Sequence, residues 1–245
     1  WRNEILSVYG RSLPASEIGG DFYTYMALTD GRAAVAIGDI SGKGVAAALL
    51  MALTSSTLES QAFFIDRPAA MLRALHEALR PRLQANQMNA ALQIAVFSAD
   101  ARTVTVANAG MVAPLLARCA PGQPTGCRFI EVGGLPIGTP LDAGYAEVTL
   151  QLEPGDTLIF LSDGIVEAHN AAGELYGFER LEAAVSRLPG DLGVVELVQR
   201  LLDEVLAFVG DAEPHDDITI IATRPVARAA VERGAPAAER VEAGA

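Results

Sequence analysis

Apolar and polar residues in this chain fall into short blocks, and several of the apolar blocks stop at an aspartate. The clearest is Ala33-Ala34-Val35-Ala36-Ile37, which ends at Gly38-Asp39, followed by a glycine-punctuated stretch and a second apolar run over residues 45–53. This succession predicts a buried strand that carries one carboxylate to its end, a tight loop, and a buried helix reaching about Glu59. Upstream, residues 24–28 and 32–38 flank Asp30-Gly31, a hairpin signal. Asp21 and Asp39 are therefore expected at the outer ends of two paired strands.

The pattern continues with a first strand within residues 1–15 and a helix from Pro68. That helix carries an apolar stripe of Met71, Leu72, Leu75, Leu79 and Leu83. Strands are expected at 91–97, 103–107, 128–132, 146–152, 157–161 and 218–223, and helices at 178–188 and 194–208. Residues 108–127 read mostly as loop. Hairpins dominate the strand connections and helices come in pairs between groups of strands. This is an α+β pattern with antiparallel sheets, not an alternating βαβ chain. Residues 1–224 are expected to form one domain. The Ala/Arg/Glu-rich stretch 225–245 has no core stripe and is expected to be a mobile tail.

Composition narrows the function. A hydrophobic content of 51% supports a full core, and the formal net charge is −12. Nucleic acid is an unsuitable partner for such a surface, because phosphate backbones are gripped by clustered Lys and Arg. An acidic protein acting on phosphorylated substrates needs cations to offset repulsion. Cys119 and Cys127 read as two free thiols, and neither begins a Cys-x5-Arg pattern. With no signal-peptide shape and no apolar run near the ~20 residues of a membrane span, a cytoplasmic location is expected. The opening residues suggest the tail of a preceding element, so an upstream sensory or regulatory domain is expected.

The chemistry lies in four recurrences of one placement: Asp21, Asp39, Asp163 and the Asp216/Asp217 pair all sit at strand boundaries. Each alone reads more readily as a turn residue. Together they supply the oxygen donors that Mg²⁺ or Mn²⁺ prefer. Two such ions about 3.5–4 Å apart lower the pKa of a shared water and stabilise in-line displacement at phosphorus. Neither cysteine and none of His76, His169 and His215 has a triad context. His169 and His215 read as solvated turn residues, and His76 as a surface residue on the polar side of its helix. GDISGKG has three residues between its first two glycines where a P-loop needs four, so Lys43 reads as an exposed loop charge. GGDF also resembles the signature of the GGDEF cyclases, but there it lies mid-domain with a metal carboxylate well upstream.

In order, GGDFY at 19–23, GDISGKG at 38–44, LSDGIVEA at 161–168 and HDDIT at 215–219 resemble the PPM family, metal-dependent serine/threonine phosphatases related to protein phosphatase 2C. Asn108-Ala109-Gly110 with Pro114, and Gly134-Leu135-Pro136-Ile137-Gly138, are similar to the bacterial branch typified by the sporulation phosphatase SpoIIE. The resemblance implies an α-β-β-α sandwich with a centre for two Mn²⁺ or Mg²⁺ ions at one edge. Asp39 would bridge the ions with the Ile40 carbonyl beside it, Asp21 would hold one, and Asp163 and Asp216 would complete the other. Asp217, Gly164 and Gly20 would support them. Catalysis would use a metal-activated water oriented by Asp39 and Asp21, without a protein nucleophile.

The implied substrate is a phosphoserine or phosphothreonine protein, in this branch an anti-sigma-factor antagonist. A homodimer is a further expectation. The sequence departs from relatives at Ser41, where eukaryotic members have histidine, at Met111 for histidine and at Thr24 for aspartate. Arg11 is the nearest candidate for their phosphate-gripping arginine. The competing expectation is a binding module of the same fold, catalytically silent or inhibited, acting in partner switching.

Overall fold

The computed structural model describes residues 1–15, 19–64, 66–118, 125–141 and 144–226. Two antiparallel sheets face each other. One is built from β1 (Leu6–Leu13), β10 (Ile218–Pro225), β9 (Thr157–Leu161), β6 (Leu115–Arg118) and β7 (Gly126–Phe129), in that spatial order. The other runs β2 (Asp21–Ala27), β3 (Ala33–Ile40), β4 (Ala90–Phe97), β5 (Thr103–Ala109) and β8 (Glu147–Gln151). Helices α1 (Val45–Ala62) and α2 (Pro68–Ala85) cover the second sheet. The first sheet is covered by α4 (Gly177–Arg187) and α5 (Val194–Val209), with the single-turn α3 (Asp163–Val166) at the end of β9. This is the α-β-β-α sandwich expected.

The core is layered accordingly. Ile37, Phe97, Val104, Phe160 and Ile221 fill the space between the sheets. The α2 stripe of Met71, Leu72, Leu75, Leu79 and Leu83 packs on one outer sheet face with Leu92 and Ile94. Val198, Leu201, Leu202 and Val205 of α5 pack on the other with Ile159 and Ile220. β3 is buried almost throughout, which is why it reads as a continuous apolar run and not an alternating one.

Several expectations need correction. The stretch expected to be loop between 108 and 127 contains β6, whose Leu115-Leu116-Ala117 is too short a run to stand out by period. α1 is not fully buried: Val45 and Leu49 are 69% and 67% exposed. His76 is not a surface residue. It is 4% exposed, and its Nδ1 lies 3.2 Å from the Tyr145 hydroxyl. The segment carrying Tyr145 folds over that flank of α2, and helix periodicity carries no information about such a cover. Strand β10 runs through Pro225, and the Val226 N–H donates to the Ile5 carbonyl at 2.9 Å. Residues 227–245, expected to be a mobile tail, lie outside the described residues, as does Cys119; Cys127 is a free thiol. No helix among the described residues is long and apolar enough to cross a membrane.

Candidate metal centre

The Asp30-Gly31 turn sets the register of β2 on β3, and that register places Asp21 directly opposite Asp39. The pairing continues past the strand end, where the Ile40 N–H donates to the Gly20 carbonyl at 3.2 Å. Gly20 has a specific reason to be glycine. A Cβ at this position would lie 2.6 Å from Asp39 Oδ1 and 2.6 Å from the Ile40 carbonyl oxygen. Two oxygen donors thus converge on a hollow that any side chain would fill.

The other two carboxylates arrive from the first sheet. β9 delivers Asp163 to the first turn of α3, and β10 begins just after Asp216 and Asp217. Ser162 fastens these ends together. Its N–H donates to the Thr219 carbonyl at 3.0 Å, its hydroxyl donates to the Asp217 carbonyl at 3.1 Å, and the Thr219 N–H donates back to that hydroxyl at 2.9 Å. Gly164 completes the approach, because a Cβ there would run into the Asp217 carbonyl.

Asp217 joins the two sheets. It is 6% exposed, and one carboxylate oxygen accepts the Ala15 N–H at 2.7 Å. The other oxygen accepts the N–H groups of Gly20 at 2.7 Å and Asp21 at 3.2 Å. Among the described residues each of these contacts runs to backbone, so this side chain orients the Gly20-Asp21 segment. A cleft of about 240 Å³ opens between the sheets' ends, walled by Gly20, Asp39, Ile40, Ser41, Gly42, Lys43, Asp216 and Asp217.

Crowded carboxylates leave an electrostatic signature. Burial pushes Asp21 up to about 7; the Ser162 and Thr219 hydroxyls pull it part of the way back, and the charges of Asp39 and Asp217 push it further. Asp39 is raised to about 6, first by burial and then by Asp163, Asp216 and Asp217. Asp163 is raised by burial and by Asp216. Among the described residues no Lys or Arg offsets any of the three, and Asp21 Oδ2 is buried without a hydrogen-bond partner.

An orphaned Asp21 oxygen, carboxylates raised by burial and by one another, and the Asp39 Oδ1 and Ile40 carbonyl oxygens side by side at Gly20 make a donor set suited to a hard divalent cation. Among the described residues, no three His, Cys, Asp or Glu side chains close up far enough to hold an ion by themselves. Carboxylate and carbonyl oxygens are the donor types that Mg²⁺ and Mn²⁺ take.

The remaining candidates fall elsewhere. Lys43 is exposed on the cleft rim. The Ser41 hydroxyl accepts the Asn89 N–H at 2.8 Å and so secures the loop. Arg11 is exposed on β1 and does not line the cleft. His215 is exposed and His169 half-buried, with ring centres 5.5 Å apart beside a separate 40 Å³ cavity. The roles of Ser162 and Thr219 went unassigned in the sequence, although both lie inside the LSDG and HDDIT motifs.

A two-sheet sandwich with acidic strand ends at one edge defines the class: this is the PP2C phosphatase fold. It superposes on the SiaA-PP2C domain of Pseudomonas aeruginosa with a TM-score of 0.76 at 23% identity, covering 89% of this chain and 85% of that one. It also superposes on the catalytic domain of the serine/threonine phosphatase PstP, solved with two manganese ions, with a TM-score of 0.66 at 16% identity and coverage of 91% and 99%. The family model for Stage II sporulation protein E (SpoIIE) matches residues 29–226, and the chain belongs to that family. It is 26% identical over 228 residues to the phosphoserine phosphatase RsbU of Bacillus subtilis, covering 91% of this chain and 64% of RsbU. The chain thus spans less than two thirds of that relative's length.

Proposed function

We propose that this domain is a metal-dependent protein serine/threonine phosphatase that hydrolyses phosphoserine or phosphothreonine on a protein of the anti-sigma-factor-antagonist type. The observation that carries this reading is the convergence of Asp39 Oδ1 and the Ile40 carbonyl on the space beside Gly20, within a cleft that Asp216 also lines.

In this reading Asp39, the Ile40 carbonyl, Asp21, Asp163 and Asp216 hold two Mn²⁺ or Mg²⁺ ions, with Asp217, Gly164 and Gly20 setting their positions. When bound, such ions supply a water of lowered pKa and neutralise charge on the transferring phosphoryl group. Asp39 and Asp21, directly opposite each other on β2 and β3, would together orient a water toward the phosphate once the ions are bound. Geometry supports the assignment, since both carboxylates are anchored on strands and not on mobile loops. The chain supplies no nucleophile of its own, and no histidine stands at position 41 to protonate the leaving oxygen. The phosphorylated side chain enters through the open face of the cleft. RsbU is a phosphoserine phosphatase, which supports a protein substrate here. We further propose that the domain acts in the cytoplasm, under a regulatory domain outside this segment, and as a homodimer.

The test is Mn²⁺-dependent release of phosphate from a phosphoserine protein and from an aryl phosphate, with Asp39→Asn and Asp163→Asn as controls. Activity indifferent to chelator, or surviving both substitutions, would discard the mechanism. One observation favours a second reading: the carboxylates are not closed into a ready-made cage among the described residues. An inhibited or silent binding module would have that arrangement, and it would bind a partner without turnover in saturating Mn²⁺.

A further inference from the structure

Helix α1 contradicts its own surroundings. Its 18 residues carry a single charge, Glu59 near the far end. Its first nine residues, 45–53, are all apolar, and a stretch apolar on all sides belongs inside a protein. Yet Val45, Leu49, Ala52 and Ser56, spaced as one helical line, all face solvent. Between α1 and the end of α2 runs an open groove walled by Ala46, Leu49, Leu50, Pro81, Arg82 and Ala85.

The groove and the metal cleft adjoin along the chain without a common lining residue. Ser41, Gly42 and Lys43 line the cleft, and the groove begins at Ala46, the second residue of the helix that follows. The loop is fixed to the end of α2: the Ser41 N–H donates to the Asn89 carbonyl at 2.9 Å, and the Asn89 N–H returns to the Ser41 hydroxyl at 2.8 Å. The loop that lines the cleft therefore leads directly into the helix that walls the groove.

Charge selects the occupant. The chain holds 30 acidic against 18 basic residues. Residues 41–58 and 78–91, which build both walls and the rim, contain Lys43, Arg80 and Arg82 and no acid at all. Lys43 and Arg82 are exposed, and neither makes an ion pair among the described residues. An apolar floor with unpaired cations beside it suits an acidic segment with apolar anchors.

We infer that the α1–α2 groove docks the phosphoserine-bearing segment of the protein substrate, by recognising apolar and acidic side chains that flank the phosphate. The inference rests on the phosphatase reading above. A phosphate alone distinguishes few proteins, so specificity has to come from contacts beyond the reacting group. The groove supplies them without altering the metal ligands.

The experiment uses the domain in excess Mn²⁺, p-nitrophenyl phosphate, and two phosphoserine peptides of equal length. One peptide flanks the phosphoserine with leucines and glutamates, the other with serines and lysines. The wild type is expected to favour the first by about tenfold in kcat/KM, the contribution of one partly buried leucine. Leu49→Ser and Arg82→Glu should each remove most of that preference and leave hydrolysis of p-nitrophenyl phosphate unchanged. Equal wild-type rates on the two peptides would overturn the proposal, as would variants that slow all three substrates alike. So would a wild-type dimer that Leu49→Ser dissociates while the peptide preference persists, which would assign the groove to a second copy of the chain. If no substrate is turned over, the phosphatase reading fails by itself. Fluorescence anisotropy of the two labelled peptides then decides the docking separately, by the same preference and its loss in the variants.

Discussion

The Asp217 carboxylate accepts the Gly20 N–H at 2.7 Å, a contact between residues 197 positions apart that ties the start of β2 to the start of β10. Its other oxygen takes the Ala15 N–H at 2.7 Å. Asp217 thus organises the backbone that presents Asp21, while the adjacent Asp216 faces the cleft.

Replacing Asp217 by alanine leaves those N–H groups in a buried place without an acceptor. Unfolding in denaturant should show a loss of about 3 kcal/mol, the scale of orphaned buried donors to a charged group. Asp217→Asn keeps one acceptor and should lose about half as much. A cost near zero for the alanine variant would mean that the bridge between sheets is not needed.

Gly20→Ala places a methyl group 2.6 Å from both Asp39 Oδ1 and the Ile40 carbonyl. The oxygens must move apart. Mn²⁺ affinity by calorimetry should fall by about 10–100-fold, the range for changes just outside a ligand set. The circular dichroism spectrum should not change. Unaltered Mn²⁺ binding would exclude this hollow as the ion site.

Protonation gives a prediction of definite sign. Asp21 is raised to about 7 when folded, against about 3.9 for an unperturbed aspartate. The native state therefore holds this proton more tightly than the unfolded chain, and the wild type loses stability as pH rises from about 4 to about 7. Asp21→Asn lacks this loss. In chelator the variant should match the wild type near pH 4 and exceed it by roughly 2–4 kcal/mol above pH 7. Saturating Mn²⁺ should reverse the order, because the wild-type carboxylate then has a cation to face. A variant less stable than wild type at pH 8 in chelator would refute the assignment.

Tyr145→Phe removes the hydroxyl that meets His76 Nδ1 at 3.2 Å. The expected cost is about 1 kcal/mol in thermal or denaturant unfolding, the net value of one buried hydrogen bond. Mn²⁺ binding should be unaffected, since the pair lies between α2 and its covering segment.

Much of the fold was legible because local rules govern it. The hairpin around Asp30-Gly31 couples a turn signal to two flanking strand-like runs, so the pairing of Asp21 with Asp39 followed before any three-dimensional information. The α2 stripe and the α5 core face follow from helical period alone. Where the periodic signal is short, as in Leu115–Arg118, the strand was missed.

The strand-end placement of the candidate aspartates was legible, and how they divide their contacts was less so. Asp216 and Asp217 are the same residue type, one position apart. Nothing local says that one faces the cleft and the other binds backbone from Ala15, Gly20 and Asp21.

By itself, the sequence determined most of the strands and helices, how β2 registers on β3, and which aspartates stand at strand ends. These depend on turn chemistry and on the periods of side chains along one element. Only the tertiary structure decided that His76 is covered, that the outer line of α1 is bare, and that Asp217 braces the junction of the two sheets. Those outcomes depend on which distant segment packs against a given face, and free energy of burial is a property of that meeting and not of either segment alone.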